Sequence, residues 1–132
     1  MFIDTSAIVA ILCLEEDAFA LGRRIRLAPR RITSSVVRLE TCMVLSSRMN
    51  VSPSEAQTTL DDFLAEADIS VMGIDDAVAR IAVEAFERFG KGRGMKAQLN
   101  LADCLSYACA RAQGVPILFK GRDFSHTDLR VA

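Results

Sequence analysis

Apolar residues along this chain recur at two spacings, which predict short strands alternating with longer helices. Residues 1–3 form a short apolar run ended by polar residues, and an apolar run of helix length follows at residues 7–14. Further strands are predicted at residues 31–33, 69–72 and 117–119, and helices separate them. This alternation predicts an α/β fold built on a largely parallel sheet.

Helix boundaries in the first half of the chain are marked by breaking and capping residues. A helix predicted at residues 17–27 ends in arginines, and Pro29 breaks the chain after it. Ser34 or Ser35 can then cap a helix that runs to about Met49.

Two later helices have clear start signals. Ser52 is placed to cap a helix, with Pro53 at its first position and Glu55 at its third. Asn100 caps the last helix, and Gly114 ends it. The residues that repeat at helical spacing between these signals are predicted to form core: Ala56, Leu60, Phe63, Leu64, Ala67, Val78, Ile81, Ala82, Ala85, Phe86 and Phe89.

Composition and charge narrow the class of protein. With 51% apolar and 25% charged residues, the chain is neither disordered nor a fibrous repeat. Its 132 residues suffice for one core, so we expect a single domain over residues 1–132. A formal net charge of −1 gives no overall positive field, so any contact with nucleic acid must be local. Basic residues form two clusters, which are either solvated helix ends or local contacts with nucleic acid. The first is Arg23, Arg24, Arg26, Arg30 and Arg31, and the second is Arg88, Lys91, Arg93 and Lys96.

Cysteine and histidine usage argues against a zinc site or a disulfide framework. The single histidine, His126, excludes zinc sites built from paired histidines. The chain starts without a basic signal-peptide segment, and residues 7–14 are too short to cross a bilayer, so we expect a cytoplasmic protein. Four cysteines lie in apolar helical stretches without a C-x-x-C pair, which predicts reduced and buried thiols: Cys13, Cys42, Cys104 and Cys109.

Residues 90–96 combine three glycines with three basic residues, which predicts a mobile basic loop. Glycine-rich loops also hold phosphates in P-loop proteins. Here the order G-x-x-x-x-G-K-[ST] is absent and no strand directly precedes the loop, so a P-loop is not favoured.

Two aspartates directly follow predicted strands, where parallel sheets bind their ligands. Asp4 follows the first strand, and Asp123 follows the last one after a three-residue connection. Asp103 is the third helical position after Asn100, an arrangement that also caps a helix. Asp4 can likewise be a simple N-cap, so each of these residues alone has a structural explanation.

Glu40 is unusual because its helical neighbours are all apolar. The residues three and four positions away are Val36, Val37, Met43 and Val44, which places a glutamate inside the core-facing stripe. A buried carboxylate needs a partner, a raised pKa or a metal ion. The alternative is a glutamate at the helix edge that reaches water. Taken together, the acids form an all-oxygen site suited to Mg²⁺ or Mn²⁺.

Four segments of the chain, in order, carry a family pattern. They are Met-Phe-Ile-Asp-Thr-Ser-Ala at the start, the helical Glu40, Leu-Asn-Leu-Ala-Asp-Cys-Leu-Ser-Tyr-Ala from residue 99, and Phe-Lys-Gly-Arg-Asp-Phe-Ser-His-Thr-Asp-Leu from residue 119. This order resembles PIN-domain ribonucleases, specifically the VapC-type toxins of bacterial toxin-antitoxin modules. The similarity spans essentially the whole chain, and the last two segments are the most specific.

The resemblance implies a PIN-like three-layer sandwich, in which a parallel sheet of four to five strands is flanked by helices. It also implies that Asp4, Glu40, Asp103 and Asp123 hold one or two Mg²⁺ or Mn²⁺ ions, which activate water for in-line attack on an RNA phosphodiester. Coupled carboxylates share their titration, so no single base is assigned.

The family pattern also implies supporting residues and partners. Thr5 or Ser6 and Asn100 would be polar groups near the metal ion, and Thr127 a structural or substrate contact. Expected partners are RNA, a cognate VapB-like antitoxin and a second copy of the chain, with no membrane contact. Residues 7–14 are more hydrophobic than one buried helix face requires, which makes them a plausible docking groove for the antitoxin. Phosphate contacts are expected from Arg122, Lys91, Arg93 and Lys96.

Three other functions stay open at this point. A dehalogenase-type phosphatase would use Asp4 as a nucleophile, but it needs a second acid two residues later, where this chain has Ser6. A non-enzymatic binding module would use the same acids only as caps and solvated edges. A PIN-domain nuclease that processes cellular RNA without an antitoxin would keep the fold and change the biological role.

Overall fold

The computed structural model describes all 132 residues, which form four strands and six helices. The strands are β1 (Phe2–Ile3), β2 (Ile32–Ser34), β3 (Ser70–Met72) and β4 (Ile117–Leu118). The helices are α1 (Thr5–Leu12), α2 (Ala18–Leu27), α3 (Ser35–Arg48), α4 (Pro53–Glu66), α5 (Asp76–Phe89) and α6 (Leu101–Gln113). All strand pairs are parallel, which confirms the predicted α/β fold.

The strand order β3-β2-β1-β4 contains a point where the chain reverses its direction along the sheet. β2 and β3 are added on one side of β1, and β4 then pairs with the other side, where Phe2 lies opposite Ile117 and Ile3 opposite Leu118. Right-handed crossovers place connecting helices on opposite faces before and after such a reversal, which covers both faces of the sheet. Open parallel sheets bind their ligands at such a point, just beyond the carboxyl ends of the two strands that flank it.

β1 and β4 are the most deeply buried strands of the sheet. Phe2, Ile3, Ile117 and Leu118 have 0% exposed surface, as expected for parallel strands with helices on both faces. β3 is an edge strand and leaves Val71 39% exposed. None of the six helices combines the length and apolar character needed to cross a membrane.

Helix boundaries follow the predicted capping residues. Ser34 is both the last residue of β2 and the N-cap of α3, where its Oγ accepts a hydrogen bond from the Val37 N–H at 3.2 Å, so β2 ends one residue later than predicted. Ser52 and Glu55 form a reciprocal capping box at the start of α4. Gly114 ends α6 at φ 63°, a left-handed conformation that glycine adopts without strain.

Two predictions about buried side chains are wrong. Phe86 is 47% exposed, because it lies on the side of α5 that lines an open apolar groove between α5 and α6. Cys13 is half-buried and follows α1 as its C-cap. The other three cysteines are buried, and all four thiols are free, as predicted.

The apolar segment at residues 7–14 offers less surface for docking than predicted. Ala7, Ile8 and Ala10 have 0% exposed surface because they pack into the core. The exposed part of the segment is Leu14, 86% exposed, which lines a groove between α1 and α2 together with Phe19, 78% exposed. We call this groove the α1–α2 groove.

Candidate active site

Each predicted carboxylate is carried by an element that reaches the carboxyl edge of the sheet. Asp4 follows β1, and Asp123 lies in the segment after β4. Glu40 is on α3, which begins where β2 ends. α6 leads into the amino end of β4, so its first turn, with Asp103, lies at the opposite, carboxyl edge. Because β1 lies between β2 and β4, Asp4 has a central position.

Asp4 is 5% exposed and is the N-cap of α1, as its structural explanation predicts. Its Oδ2 accepts hydrogen bonds from the Ser6 N–H at 3.0 Å and from the Ser6 hydroxyl at 2.7 Å. The Ser6 Oγ accepts in turn from the Lys120 N–H at 3.0 Å, which ties the end of β1 to the end of β4. Oδ1 of Asp4 accepts no hydrogen bond and is not fully enclosed, so capping leaves one oxygen available to a ligand.

Asp103 is held by a capping box and crowded by the other acids. Its Oδ2 accepts a hydrogen bond from the Asn100 N–H at 3.0 Å, and its own N–H donates to the Asn100 Oδ1 at 2.9 Å. Burial, and then the negative charges of Asp123, Asp4 and Glu40, raise the pKa of Asp103 from 3.8 to about 7, although the bond from Asn100 lowers it. The other three carboxylates therefore lie within electrostatic range of Asp103.

Glu40 reaches the site from the flank of α3, which corrects its predicted place in the core-facing stripe. The core-facing residues of α3 include Val37, Thr41 and Leu45, whereas Met43 is 63% exposed. Glu40 is half-buried, because it lies at the boundary between these two faces of the helix. A carboxylate at that boundary can reach both water and a ligand.

Asp123 is exposed in a segment without regular secondary structure. Gly121, at φ 102°, supplies the turn between β4 and this residue. The adjacent Phe124 is 2% exposed and packs edge-to-face on Phe119, with ring centroids 5.1 Å apart. The backbone is therefore anchored in the core beside Asp123, while the carboxylate remains outside it.

The chemistry of these side chains fits a hard divalent cation. The donors are carboxylate oxygens, which Mg²⁺ and Mn²⁺ prefer, with no imidazole or thiol among them. As the side chains stand, no three acidic, imidazole or thiol groups converge closely enough to hold a metal ion. Mg²⁺ keeps several waters and binds one or two carboxylates directly, so it suits acids that stand apart around a common space. The like-charge crowding at Asp103 is the imbalance that such a cation would remove.

Two buried hydroxyls without hydrogen-bond partners lie beside these acids. Thr5 follows Asp4, Thr41 follows Glu40, and neither Oγ1 has a partner. Buried hydroxyls are normally hydrogen-bonded, so each of these two leaves a hydrogen bond unmade. Ser6 differs, since both of its bonds orient Asp4 and the end of β4.

The predicted phosphate contacts have no acidic partners. Arg122 and the basic loop at residues 90–96 form no salt bridge, unlike Lys120, which pairs with Asp17 at 3.1 Å and Glu15 at 3.4 Å. The base of the loop is closed by the Lys91 N–H, which donates to the Leu99 oxygen at 2.9 Å. Because Leu99 directly precedes the N-cap of α6, the loop returns to the end of α6 that carries Asp103.

The first arginine cluster lies at the other, amino edge of the sheet. Arg31 precedes β2 and donates to the carbonyl oxygens of Ala28 and Ala67. Arg30 donates to the Gln113 side chain at 2.6 Å. These bonds tie the ends of α2, α4 and α6 together, so Arg30 and Arg31 have a structural role away from the acids.

Sequence reasoning missed Asp128, the most heavily bonded carboxylate of the segment after β4. Its Oδ1 accepts from the Tyr107 hydroxyl at 2.7 Å, and its Oδ2 accepts from Arg88 at 3.1 Å and Arg111 at 3.0 Å. The available signal was Tyr107, the single tyrosine, since a buried phenol needs a partner. The Thr127 hydroxyl donates to the Phe124 oxygen at 2.8 Å within the same turn, which favours the structural one of its two predicted roles.

Comparison with known proteins gives one consistent result. The family model described as the PIN domain matches residues 1–129. Ribonuclease VapC42 of Mycobacterium tuberculosis is 39% identical over 132 residues, which cover 100% of this chain and 98% of that protein.

Solved structures share the fold at low sequence identity. The crystal structure of Mycobacterium tuberculosis VapC20, described as a Sarcin-Ricin loop cleaving toxin, has a TM-score of 0.77 at 19% identity and covers 99% of this chain and 97% of its own. A toxin-antitoxin complex from Klebsiella pneumoniae has a TM-score of 0.72 at 14% identity and covers 99% of this chain and 95% of its own.

Proposed function

This chain belongs to the PIN-domain family, among the VapC ribonucleases, and on that premise we propose that it hydrolyses RNA phosphodiesters with a divalent cation held by Asp4, Glu40, Asp103 and Asp123. The observation that carries the proposal is the pKa of Asp103, which the charges of the other three acids help to raise. Burial is the largest cause of the raised pKa, the capping hydrogen bond from Asn100 lowers it, and the three like charges raise it further. Carboxylates crowded at the reversal point of a parallel sheet support a cation site there.

Asp4 and Asp103 supply the oxygens that are fixed before any ligand binds. Ser6 holds Oδ2 of Asp4 and leaves Oδ1 free, and Asn100 holds Oδ2 of Asp103. Fixed oxygens bind a ligand with little loss of side-chain freedom. A divalent cation bound there would neutralise the acids and lower the pKa of the attacking water.

Glu40 and Asp123 are the acids that would orient the attacking water. Neither is a helix cap, one is half-buried and the other exposed, so both are freer to move than Asp4 and Asp103. Because coupled carboxylates titrate together, the proton is shared by the group and belongs to no single base.

RNA approaches this site through its phosphates. Arg122 is adjacent to Asp123, and the basic loop begins and ends beside the N-terminus of α6. These unpaired cations offset the repulsion between the acids and the RNA backbone. Phosphate contacts position a strand without reading its bases, so they do not determine which RNA is cut.

Single-turnover cleavage of a defined RNA tests the site. Asp103→Asn keeps an acceptor for the Asn100 N–H and loses only the charge. Its rate should fall at least about a hundredfold, equivalent to about 2.7 kcal/mol of transition-state stabilisation. Asp61→Asn is the matched control, because Asp61 is an exposed carboxylate of α4 whose charge is not among those that shift the pKa of Asp103, and it should cleave at the wild-type rate. Full activity of Asp103→Asn, or of the wild type in excess chelator, contradicts the proposal.

We further propose that a small VapB-like antitoxin restrains this activity in the cytoplasm. Leu14 and Phe19 leave the α1–α2 groove apolar and exposed. Glu15 lines that groove and pairs with Lys120, whose N–H is bonded to Ser6 at the acidic site. A segment with apolar side chains for the groove and a basic side chain for the carboxylates fits both surfaces.

Expression in a bacterial host tests the partner. The chain alone should arrest growth, Asp103→Asn should not, and co-expression with its antitoxin should restore growth and give a co-purifying complex. Phe19→Glu should cut RNA normally and fail to bind the antitoxin. Growth at the wild-type rate with high expression and no bound partner would instead favour an RNA-processing nuclease without an antitoxin.

We propose that a second copy of the chain binds at the groove between α5 and α6 and forms a homodimer. Val83 is 68% exposed there, Phe86 47% and Leu101 81%, an apolar surface that monomers seldom leave uncovered. Light scattering should give twice the 14.4 kDa mass of the chain, and Val83→Glu should return it to one chain. A wild-type mass of one chain contradicts the dimer.

A further inference from the structure

Asp128 joins the segment after β4 to two helices. Its Oδ1 accepts from the Tyr107 hydroxyl of α6, and its Oδ2 accepts from Arg111 of α6 and Arg88 of α5. Both oxygens are therefore occupied by donors from the protein. Asp128 is the only carboxylate of the chain that binds two arginines and a tyrosine, and the proposed site does not use it.

The same helix face that carries Asp103 also carries the partner of Asp128. Tyr107 comes four residues after Asp103 on α6, so the two side chains lie one turn apart on one face. Tyr107 is 2% exposed and packs against Phe89, with ring centroids 5.7 Å apart, which fixes where its hydroxyl points. The hydrogen bond to Asp128 thus ties the Asp123 segment to a fixed point near Asp103.

The segment that carries Asp123 has few other attachments. It lacks regular secondary structure, and Asp123 itself is exposed. Phe124 anchors it in the core on one side, and the Thr127 hydroxyl bonds only within the turn, where it donates to the Phe124 oxygen and accepts from the Leu129 N–H. Asp128 is the next residue along, and it makes the side-chain bonds that join this turn to α5 and α6. The nearest other bonds to the rest of the protein are those of the Lys120 N–H to Ser6 and of the Arg130 oxygen to the Ile117 N–H.

We propose that Asp128 is a positioning residue, which sets the place of the Asp123 carboxylate relative to Asp103 by bonding the segment after β4 to Tyr107, Arg111 and Arg88. The proposal rests on the proposed function, since it assumes that Asp123 and Asp103 act on one cation. Groups that orient metal-binding carboxylates in this way change metal affinity by about 10- to 100-fold when removed.

A double-mutant cycle on Mn²⁺ affinity tests the proposal without an activity assay. Free Mn²⁺ is measured by electron paramagnetic resonance for the wild type, Asp128→Ala, Asp123→Asn and the double variant. We expect Asp128→Ala to weaken Mn²⁺ binding at least about tenfold in the wild type and less than about twofold when Asp123 is already asparagine. Melting temperatures of the same four proteins give the structural cost, which should be equal in both backgrounds.

Two further variants make the cycle decisive. Asp61→Ala removes a carboxylate paired with Arg38 on α3 and should leave Mn²⁺ affinity unchanged. Tyr107→Phe deletes one of the three bonds to Asp128 and keeps the ring packed on Phe89, so it replaces Asp128→Ala in the cycle if that variant fails to fold. We expect it to weaken Mn²⁺ binding at least about threefold, again only when Asp123 is present.

Each remaining outcome overturns a defined part of the account. If the wild type binds Mn²⁺, Asp103→Asn does not, and Asp128→Ala binds as the wild type does, the positioning role is wrong and the proposed function stands. Equal weakening by Asp128→Ala with and without the Asp123 carboxylate also overturns the positioning role, because the effect would then be general destabilisation. A wild type that binds no Mn²⁺ overturns both proposals.

Discussion

Replacing Asp103 with asparagine should stabilise the metal-free protein at high pH, which is the opposite of what losing a helix cap does. The pKa of this carboxyl is about 7 in the folded chain, against 3.8 when it is unperturbed. At pH values between these two pKa values, the Asp103 carboxyl keeps its proton in the folded chain and has released it in the unfolded chain. The free energy of unfolding therefore falls as pH rises from about 4 to about 7, and Asp103→Asn removes that loss.

The size of the stabilisation by Asp103→Asn follows from the pKa shift of Asp103. Moving a pKa from 3.8 to about 7 corresponds to about 4 kcal/mol at 1.36 kcal/mol per pKa unit. Asp103 is only partly buried, and solvent screening reduces this to about 2 kcal/mol. The asparagine keeps an acceptor for the Asn100 N–H, so the cap itself is nearly unchanged. For a chain of this length, the gain is roughly 6 to 10 °C in Tm.

Thermal melts of the wild type and Asp103→Asn in chelator measure this directly. The variant should melt higher by the full amount at pH 8 and by less than half of it at pH 5, where the folded wild type is already protonated at Asp103. Asp61→Asn, which changes an exposed carboxylate paired with Arg38, is the control and should not melt above the wild type. An Asp103→Asn variant that melts below the wild type at both pH values would refute the crowding argument and leave Asp103 as a simple cap.

Other perturbations give separate checks. Glu40→Gln should also melt above the wild type in chelator, and it should lose most of the stabilisation of about 2.7 kcal/mol that Mn²⁺ at a hundred times its Kd gives the wild type; an equal Mn²⁺ shift in both proteins contradicts the site. Ser6→Ala should cost about 1 to 2 kcal/mol in urea unfolding, because the Asp4 carboxylate and the Lys120 N–H both lose a partner. Removing the three cations of the basic loop should weaken RNA binding. The slope of the logarithm of the binding constant against the logarithm of the salt concentration should become shallower by about 0.7 for each phosphate that the loop neutralises in the wild type. An unchanged slope would exclude the loop from the interface.

The parts of the fold that were predictable from sequence are those fixed by local hydrogen bonds. The capping boxes at Ser52 and Asn100 and the αL glycine at Gly114 each involve residues within one helical turn, so their signal is contained in a short window. Strand order is different, because it depends on pairing between residues far apart in the chain. The position of β4 beside β1, which creates the site, was not predicted.

Errors arose where a helix face depends on its neighbours. Glu40 has only apolar residues three and four positions away in sequence, but one of them, Met43, faces solvent, so the apolar stripe of α3 is wider than its buried face. Phe86 repeats at core spacing and lies in an open groove for the same reason. Asp128 escaped notice because its three donors come from α5 and α6, and no local pattern marks a carboxylate whose partners are distant in sequence.

We propose that this protein is a metal-dependent ribonuclease in which water is the nucleophile. The most direct test is to map the cuts and the end groups that the purified protein leaves in total cellular RNA. With Mg²⁺ or Mn²⁺ the wild type should cut at a small set of positions and leave no 2′,3′-cyclic phosphate, because water and not the 2′-hydroxyl attacks the phosphorus. Excess chelator and Asp103→Asn should each abolish those cuts, whereas Asp61→Asn should retain them. The same cuts in chelator, or cyclic phosphate ends, would contradict the account.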